Sequence, residues 1–207
     1  MKIIRIFSMK LIIAASLVAT SYAAQSAVLE VAGVKFDDTA HVANADLKLN
    51  GAGIRYKAIF KVYAAGLYLK EKKTTVPEIL ALAGPKSVKL VMLRDLSNED
   101  FGRGFMTGIQ QNTDKTEKLK LVNQFMRFGE MFASVPELKK GDIMLTEWIP
   151  GIGTIVSLNG KKMGEPYPDV AFYNALLRIW LGEKPVDASL KKAMLAETSD
   201  DAKNNYR

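Results

Sequence analysis

Residues 51–69, GAGIRYKAIFKVYAAGLYL, constrain the fold of this chain more than any other stretch. Ile54, Tyr56, Ile59, Phe60, Val62, Tyr63 and Tyr68 crowd it with the β-branched and aromatic side chains that fit a pleated, half-buried surface. From Ile54 to Leu69 it is long enough for one extended strand or for two joined by a tight turn. So much apolar surface must be covered by another layer, and the rest of the chain supplies one.

Before this stretch, residues 28–36 (VLEVAGVKF), interrupted by Gly33, read as an opening hairpin. Residues 45–49 (ADLKL) read as a strand stopping at an Asn50-Gly51 turn. After it come a short helix over residues 77–82 and a strand over residues 87–93. Ser97-Asn98-Glu99-Asp100 is a loose capping box for a helix carrying Phe101, Phe105 and Ile109, weakened by Gly102, Gly104 and Gly108. A second helix, from about Lys115 to Ala133, has Leu119, Val122, Phe125, Met126 and Phe132 as its expected apolar stripe. Strands over residues 142–148 and 154–158 pair around Pro150-Gly151-Ile152-Gly153, and Asn159-Gly160 makes a further turn. An apolar helix over residues 168–181 ends at Gly182. Asp187 caps a last helix over residues 188–196, and a polar tail begins near residue 197. The expected fold is one α+β domain of six or seven strands and four or five helices.

The first 23 residues are expected to lie outside that domain. Lys2, Arg5 and Lys10 form a positive start, residues 11–20 an apolar run, and Ser21-Tyr22-Ala23 a small-x-small cleavage site, which is the pattern of a secretory signal peptide. About ten apolar residues are too few to span a bilayer as a helix, so no stable transmembrane anchor is expected. Cleavage after Ala23 takes 23 of the 207 residues and leaves 184. The formal charge of +7 then falls to +4, from 26 basic and 22 acidic residues. That small excess gives no support for a nucleic-acid partner. A cysteine-free exported chain suits a bacterial periplasm, or secretion, and depends on its core alone for stability.

Composition narrows the chemistry further. With no cysteine there is no thiol nucleophile, thiolate metal site or disulfide, and one histidine, His41, cannot build a histidine-rich metal site. No cofactor and no metal are expected. Gly151-Ile-Gly153 lacks the Gly-Lys-Ser/Thr and the following helix of a phosphate loop and reads as a turn. The paired lysines at 139–140, 161–162 and 191–192 read as solvated faces.

Arg55 stands apart. Its neighbours Ile54, Tyr56, Ile59 and Phe60 are apolar or aromatic, and a guanidinium among such groups is expensive to bury without a partner. It is either an edge-strand arginine with its head in water or an arginine at the base of a cleft, ready for a carboxylate or oxyanion.

Residues 51–69 resemble the signature strand pair of the chalcone isomerase fold family: Gly-x-Gly-x-Arg, then an aromatic-rich strand closing in Gly-Leu-Tyr-Leu. The resemblance continues through residues 91–101 (VMLRDLSNEDF) and 175–195 (ALLRIWLGEKPVDASLKKAML). It implies an open-faced β-sandwich, a large antiparallel sheet covered by a layer of helices with a ligand cleft between them.

In the plant enzymes of that family the fold closes a flavanone ring by intramolecular addition. Their arginine falls on Arg55 and their threonine on Tyr63. Their tyrosine falls on Phe101, their asparagine near Gly108, and the polar residue of their C-terminal helix near Ile179, beside Trp180. Most of the catalytic hydroxyl and amide groups are thus missing, while non-catalytic relatives bind fatty acids. The resemblance therefore implies an exported, non-catalytic protein that binds a fatty acid or a similar amphipathic carboxylate. Arg55 would hold the head, with Lys57 or Tyr63 nearby, and Phe101, Phe105, Ile179 and Trp180 would line the tail site. The alternatives are an intramolecular lyase or isomerase using Arg55 and Tyr63 on an enone, and an exported domain acting through a protein partner.

Overall fold

A computed structural model describes residues 28–135 and 137–197. The leader and the end of the polar tail lie outside the described residues. Strands β1 (Val28–Val31) and β2 (Val34–Asp37) form the opening hairpin. The main sheet has seven strands in sequence order, each antiparallel to the next. They are β3 (Thr39–Val42), β4 (Ala45–Lys57), β5 (Phe60–Leu69), β6 (Lys86–Met92), β7 (Ile143–Ile149), β8 (Gly153–Leu158) and β9 (Lys161–Lys162). Helix α1 (Val76–Ala81) follows β5, α2 (Asn98–Asn112) and α3 (Lys115–Ala133) separate β6 from β7, and α4 (Val170–Leu181) and α5 (Ala188–Met194) close the fold. This is the helix-covered antiparallel sheet expected from the sequence.

Residues 54–69 resolve into two strands. β4 ends at Lys57, Ala58-Ile59 make the turn, and Lys57 pairs with Phe60. β5 is the spine of the molecule, and alternation splits its side chains between two cores. Tyr63, Ala65, Leu67 and Leu69 join the main core under the helices, while Ala64 and Tyr68 face a smaller one built on Phe36, Leu47 and Leu49. Gly66 admits the Phe36 ring: a Cβ at that position would lie 2.6 Å from Phe36 Cδ1. The opening hairpin thereby covers part of the sheet's second face.

Two sequence expectations are corrected. Asn50-Gly51 is no turn, because β4 runs straight through it with an irregularity in register between Leu49 and Gly51. The buried Asn50 side chain donates to the carbonyls of Lys73 (2.9 Å) and Met194 (2.8 Å) and accepts the Lys73 N–H (2.8 Å), tying α5 and the β5–α1 loop to the sheet. Gly51 is bare because the Ala193 carbonyl oxygen lies 2.0 Å from where its Cβ would stand.

The stripe of α3 is also rotated. Leu121, Phe125, Phe128 and Phe132 face the core, whereas Leu119, Val122 and Met126 are exposed. The three rings bury more area than the aliphatic side chains. They interlock with Phe101, Phe105 and Phe172 at centroid distances of 5.4 to 6.0 Å, and this aromatic contact sets the rotation of the helix.

Candidate functional site

The candidate site lies where the β4–β5 hairpin, the strand end after β6 and the start of α2 converge. Three local features build it. Ser97 caps α2, its Oγ accepting the Asp100 N–H at 3.1 Å, which fixes where the helix starts. Gly108 lets α2 lie against α4, since a Cβ there would stand 2.9 Å from Ile179 Cγ2. Asp187 caps α5 through the N–H groups of Ser189 and Leu190, and its other oxygen accepts the Tyr56 N–H at 2.8 Å. The last helix is thus pinned to the strand that carries Arg55.

Between these elements is a cleft of about 680 Å³, within the range of ligand sites. Arg55, Lys57, Arg94 and Arg103 line it with a single carboxylate, Asp100. Phe60, Val62, Leu96 and Val186 provide apolar surface, and Gly104 and Thr107 present the α2 side. Arg103 is drawn outward to Glu99 and, at 3.8 Å, to Asp100. Among the described residues, no carboxylate lies within ion-pair distance of Arg55, Lys57 or Arg94. The cleft therefore carries an unbalanced positive field suited to an anion.

Arg55 is half-buried, its Nε is enclosed without a hydrogen-bond partner, and its guanidinium carbon lies 5.4 Å from the Tyr63 ring centroid. Gly104 faces it across the cleft: a Cβ there would stand 3.8 Å from Arg55 Nη2, with nothing closer. A planar cation held over an aromatic face and short of acceptors is preorganised for a bidentate oxygen ligand.

The seven residues expected at the site separate into two layers. Arg55 and Lys57 line the cleft. Tyr63, Phe101, Phe105, Ile179 and Trp180 are fully buried beneath it in the main core. The tail tunnel expected of the last four is, in this structure, packed solid: Phe101 contacts Phe105 and Phe132, and Trp180 stands edge-on to Phe105 at 5.5 Å. The Trp180 indole N–H donates to the Tyr63 hydroxyl at 2.9 Å. Burial pushes the Tyr63 pKa up to about 12, against the lowering effects of Arg55 and of the Trp180 hydrogen bond. Tyr63 is thus a neutral support under Arg55 with no face on the cleft.

Arg94, Arg103, Leu96, Gly104 and Val186 join the cleft unforeseen. Arg94 had a signal, as a cation directly after a buried strand, while Val186 reaches the cleft only through the turn between α4 and α5. His41 is exposed and bonded to Asp46 at 2.8 Å, far from a catalytic arrangement. Among the described residues no cluster of acidic or histidine side chains could hold a metal ion, and no helix is long and apolar enough to cross a membrane.

A family model described as chalcone isomerase-like matches residues 27–196. No curated protein matches the chain. Among solved structures, 37 chains match. One is the crystal structure of an Arabidopsis thaliana fatty-acid binding protein, 17% identical, with a TM-score of 0.58, covering 79% of this chain and 92% of that one. At that identity the likeness is one of fold.

Proposed function

The chain belongs to the chalcone isomerase-like family, and we propose that it is a non-catalytic member that binds a fatty acid or a similar amphipathic carboxylate. The observation that carries this reading is Arg55, a guanidinium with an enclosed, unpartnered Nε and, among the described residues, no carboxylate within ion-pair distance. A carboxylate would satisfy that donor, and Lys57 and Arg94 would add to the attraction at the rim. The tail would lie along Phe60, Val62, Leu96 and Val186, over the packed apolar layer of Phe101, Phe105, Ile179 and Trp180. The fatty-acid binding protein of similar fold supports the same ligand class. A lyase would need Tyr63 beside Arg55 at the substrate, and its hydroxyl is instead engaged by Trp180 inside the core.

The proposal includes export, on the pattern of the first 23 residues, to a periplasm or beyond. An intact mass lacking those residues, from protein recovered outside the cytoplasm, supports it; a full-length mass refutes it.

The ligand reading is tested by displacing a fluorescent fatty-acid analogue with palmitate. Displacement is expected from the native protein. Arg55→Ala should weaken binding by about 1.5–3 kcal/mol, roughly ten- to 150-fold, through loss of a charge-assisted bond. Absence of binding to the native protein overturns the reading, and equal binding by the variant removes Arg55 from the site.

A further inference from the structure

The tip of the β4–β5 hairpin is built unlike a turn that serves only to connect two strands. Ile59 is 85% exposed and Phe60 55%, with Tyr56 also exposed beside them. Ala58 adopts a φ of +54°, a backbone region better suited to Gly or Asn. Ile59 is not required by the fold: it packs into neither core, and a polar residue there would leave every buried contact in place. Apolar side chains held in water at a loop tip point to a surface that covers them.

The charge around the tip indicates which surface. Lys57 and Lys61 flank it on the two strands, and Arg94 stacks over the Phe60 ring at 5.2 Å. All three are exposed, and none has an ion pair among the described residues. An apolar point inside a ring of cations, with aromatic side chains at the boundary, matches the layering of an anionic bilayer surface: hydrocarbon within, a belt suited to aromatic groups, phosphates outside.

We propose that residues 56–61, with Arg94, form a membrane-docking tip that inserts Ile59 and Phe60 into the interface of an anionic lipid bilayer while Lys57, Lys61 and Arg94 contact its phosphates. Lys57, Ala58, Phe60 and Arg94 also line the cleft, so docking sets the cleft mouth against the bilayer. The docking stands on the tip alone and holds whether or not the cleft takes a fatty acid.

The test is cosedimentation of the purified protein with vesicles of phosphatidylethanolamine and phosphatidylglycerol, and with vesicles of phosphatidylcholine alone. Binding to the anionic vesicles is expected to exceed binding to the neutral ones and to fall as salt is raised. Ile59→Asn should reduce it about tenfold, with the circular dichroism spectrum and melting temperature unchanged. Lys61→Gln should weaken binding to the anionic vesicles and leave the neutral ones unaffected. No sedimentation with anionic vesicles, or equal sedimentation of native protein and Ile59→Asn, overturns the proposal. Fatty-acid displacement measured without vesicles reads the cleft separately, so either reading can fail while the other stands.

Discussion

The Trp180 indole nitrogen and the Tyr63 hydroxyl oxygen, 117 residues apart in sequence, meet at 2.9 Å in the core, directly under Arg55. The bond satisfies the only donor of the indole where both residues are buried, and it locks the ring on which the guanidinium rests. Tyr63→Phe keeps the ring but leaves the indole N–H without a partner. It is expected to destabilise the fold by about 1–3 kcal/mol in urea denaturation, with palmitate affinity changed far less than in Arg55→Ala. A comparable loss of affinity in both variants would place the hydroxyl in the ligand site.

The same tyrosine predicts an alkaline limit. Its folded pKa is raised to about 12 from the ordinary 10.0, chiefly by burial. The neutral form is therefore favoured in the folded state. This contribution is fully present below pH 10 and is lost as pH rises toward 12, because the unfolded chain gives up its proton first. Two pKa units correspond to about 2.7 kcal/mol. The buried Tyr173 is shifted in the same direction, again chiefly by burial. Urea midpoints measured below and above pH 10 should fall on the alkaline side, and by less in Tyr63→Phe than in the native protein. An equal fall in both would show that Tyr63 does not contribute.

The fold was legible where a side chain's local chemistry agrees with its place in the whole. Ser97 and Asp187 cap the helices expected of them, and the 51–69 stretch takes one of the two forms its length allowed, a strand pair joined by a tight turn. Legibility failed where a distant partner decides. Asn50 resembles a turn residue until Lys73 and Met194 are placed around it. Leu119, Val122 and Met126 have the right spacing for a core stripe, but Phe128 outcompetes them through rings on α2 and α4. At the site, Arg55 was visible as an anomaly among apolar neighbours. That Phe101, Phe105, Ile179 and Trp180 fill space rather than line it depends on how three helices meet, and residue identity alone does not carry that.

Two glycines with the same side chain predict opposite outcomes. Gly51→Ala forces a methyl group into the Ala193 carbonyl, 2.0 Å away, so the backbone of α5 must move. Overpacking of this kind costs about 1–3 kcal/mol, and the melting temperature should drop. Gly129 lies in the interior of α3 with nothing within 4 Å of its Cβ position. Gly129→Ala should raise stability by up to about 1 kcal/mol through helix propensity. If Gly51→Ala proved neutral, α5 would not be seated on β4 as described.

Gly104 separates a cleft that works from one that is merely present. It stands in the middle of α2, and its Cβ position has only Arg55 Nη2 within reach, at 3.8 Å. Gly104→Ala therefore fits without a clash and should stabilise the helix by up to about 1 kcal/mol. Gly104→Leu projects four carbons over the guanidinium, into the space where a carboxylate would sit. It should abolish palmitate displacement while the circular dichroism spectrum shows the protein still folded. A stable Gly104→Leu that still binds palmitate with native affinity would place the fatty acid elsewhere on the molecule, because no ligand can reach Arg55 through a leucine side chain.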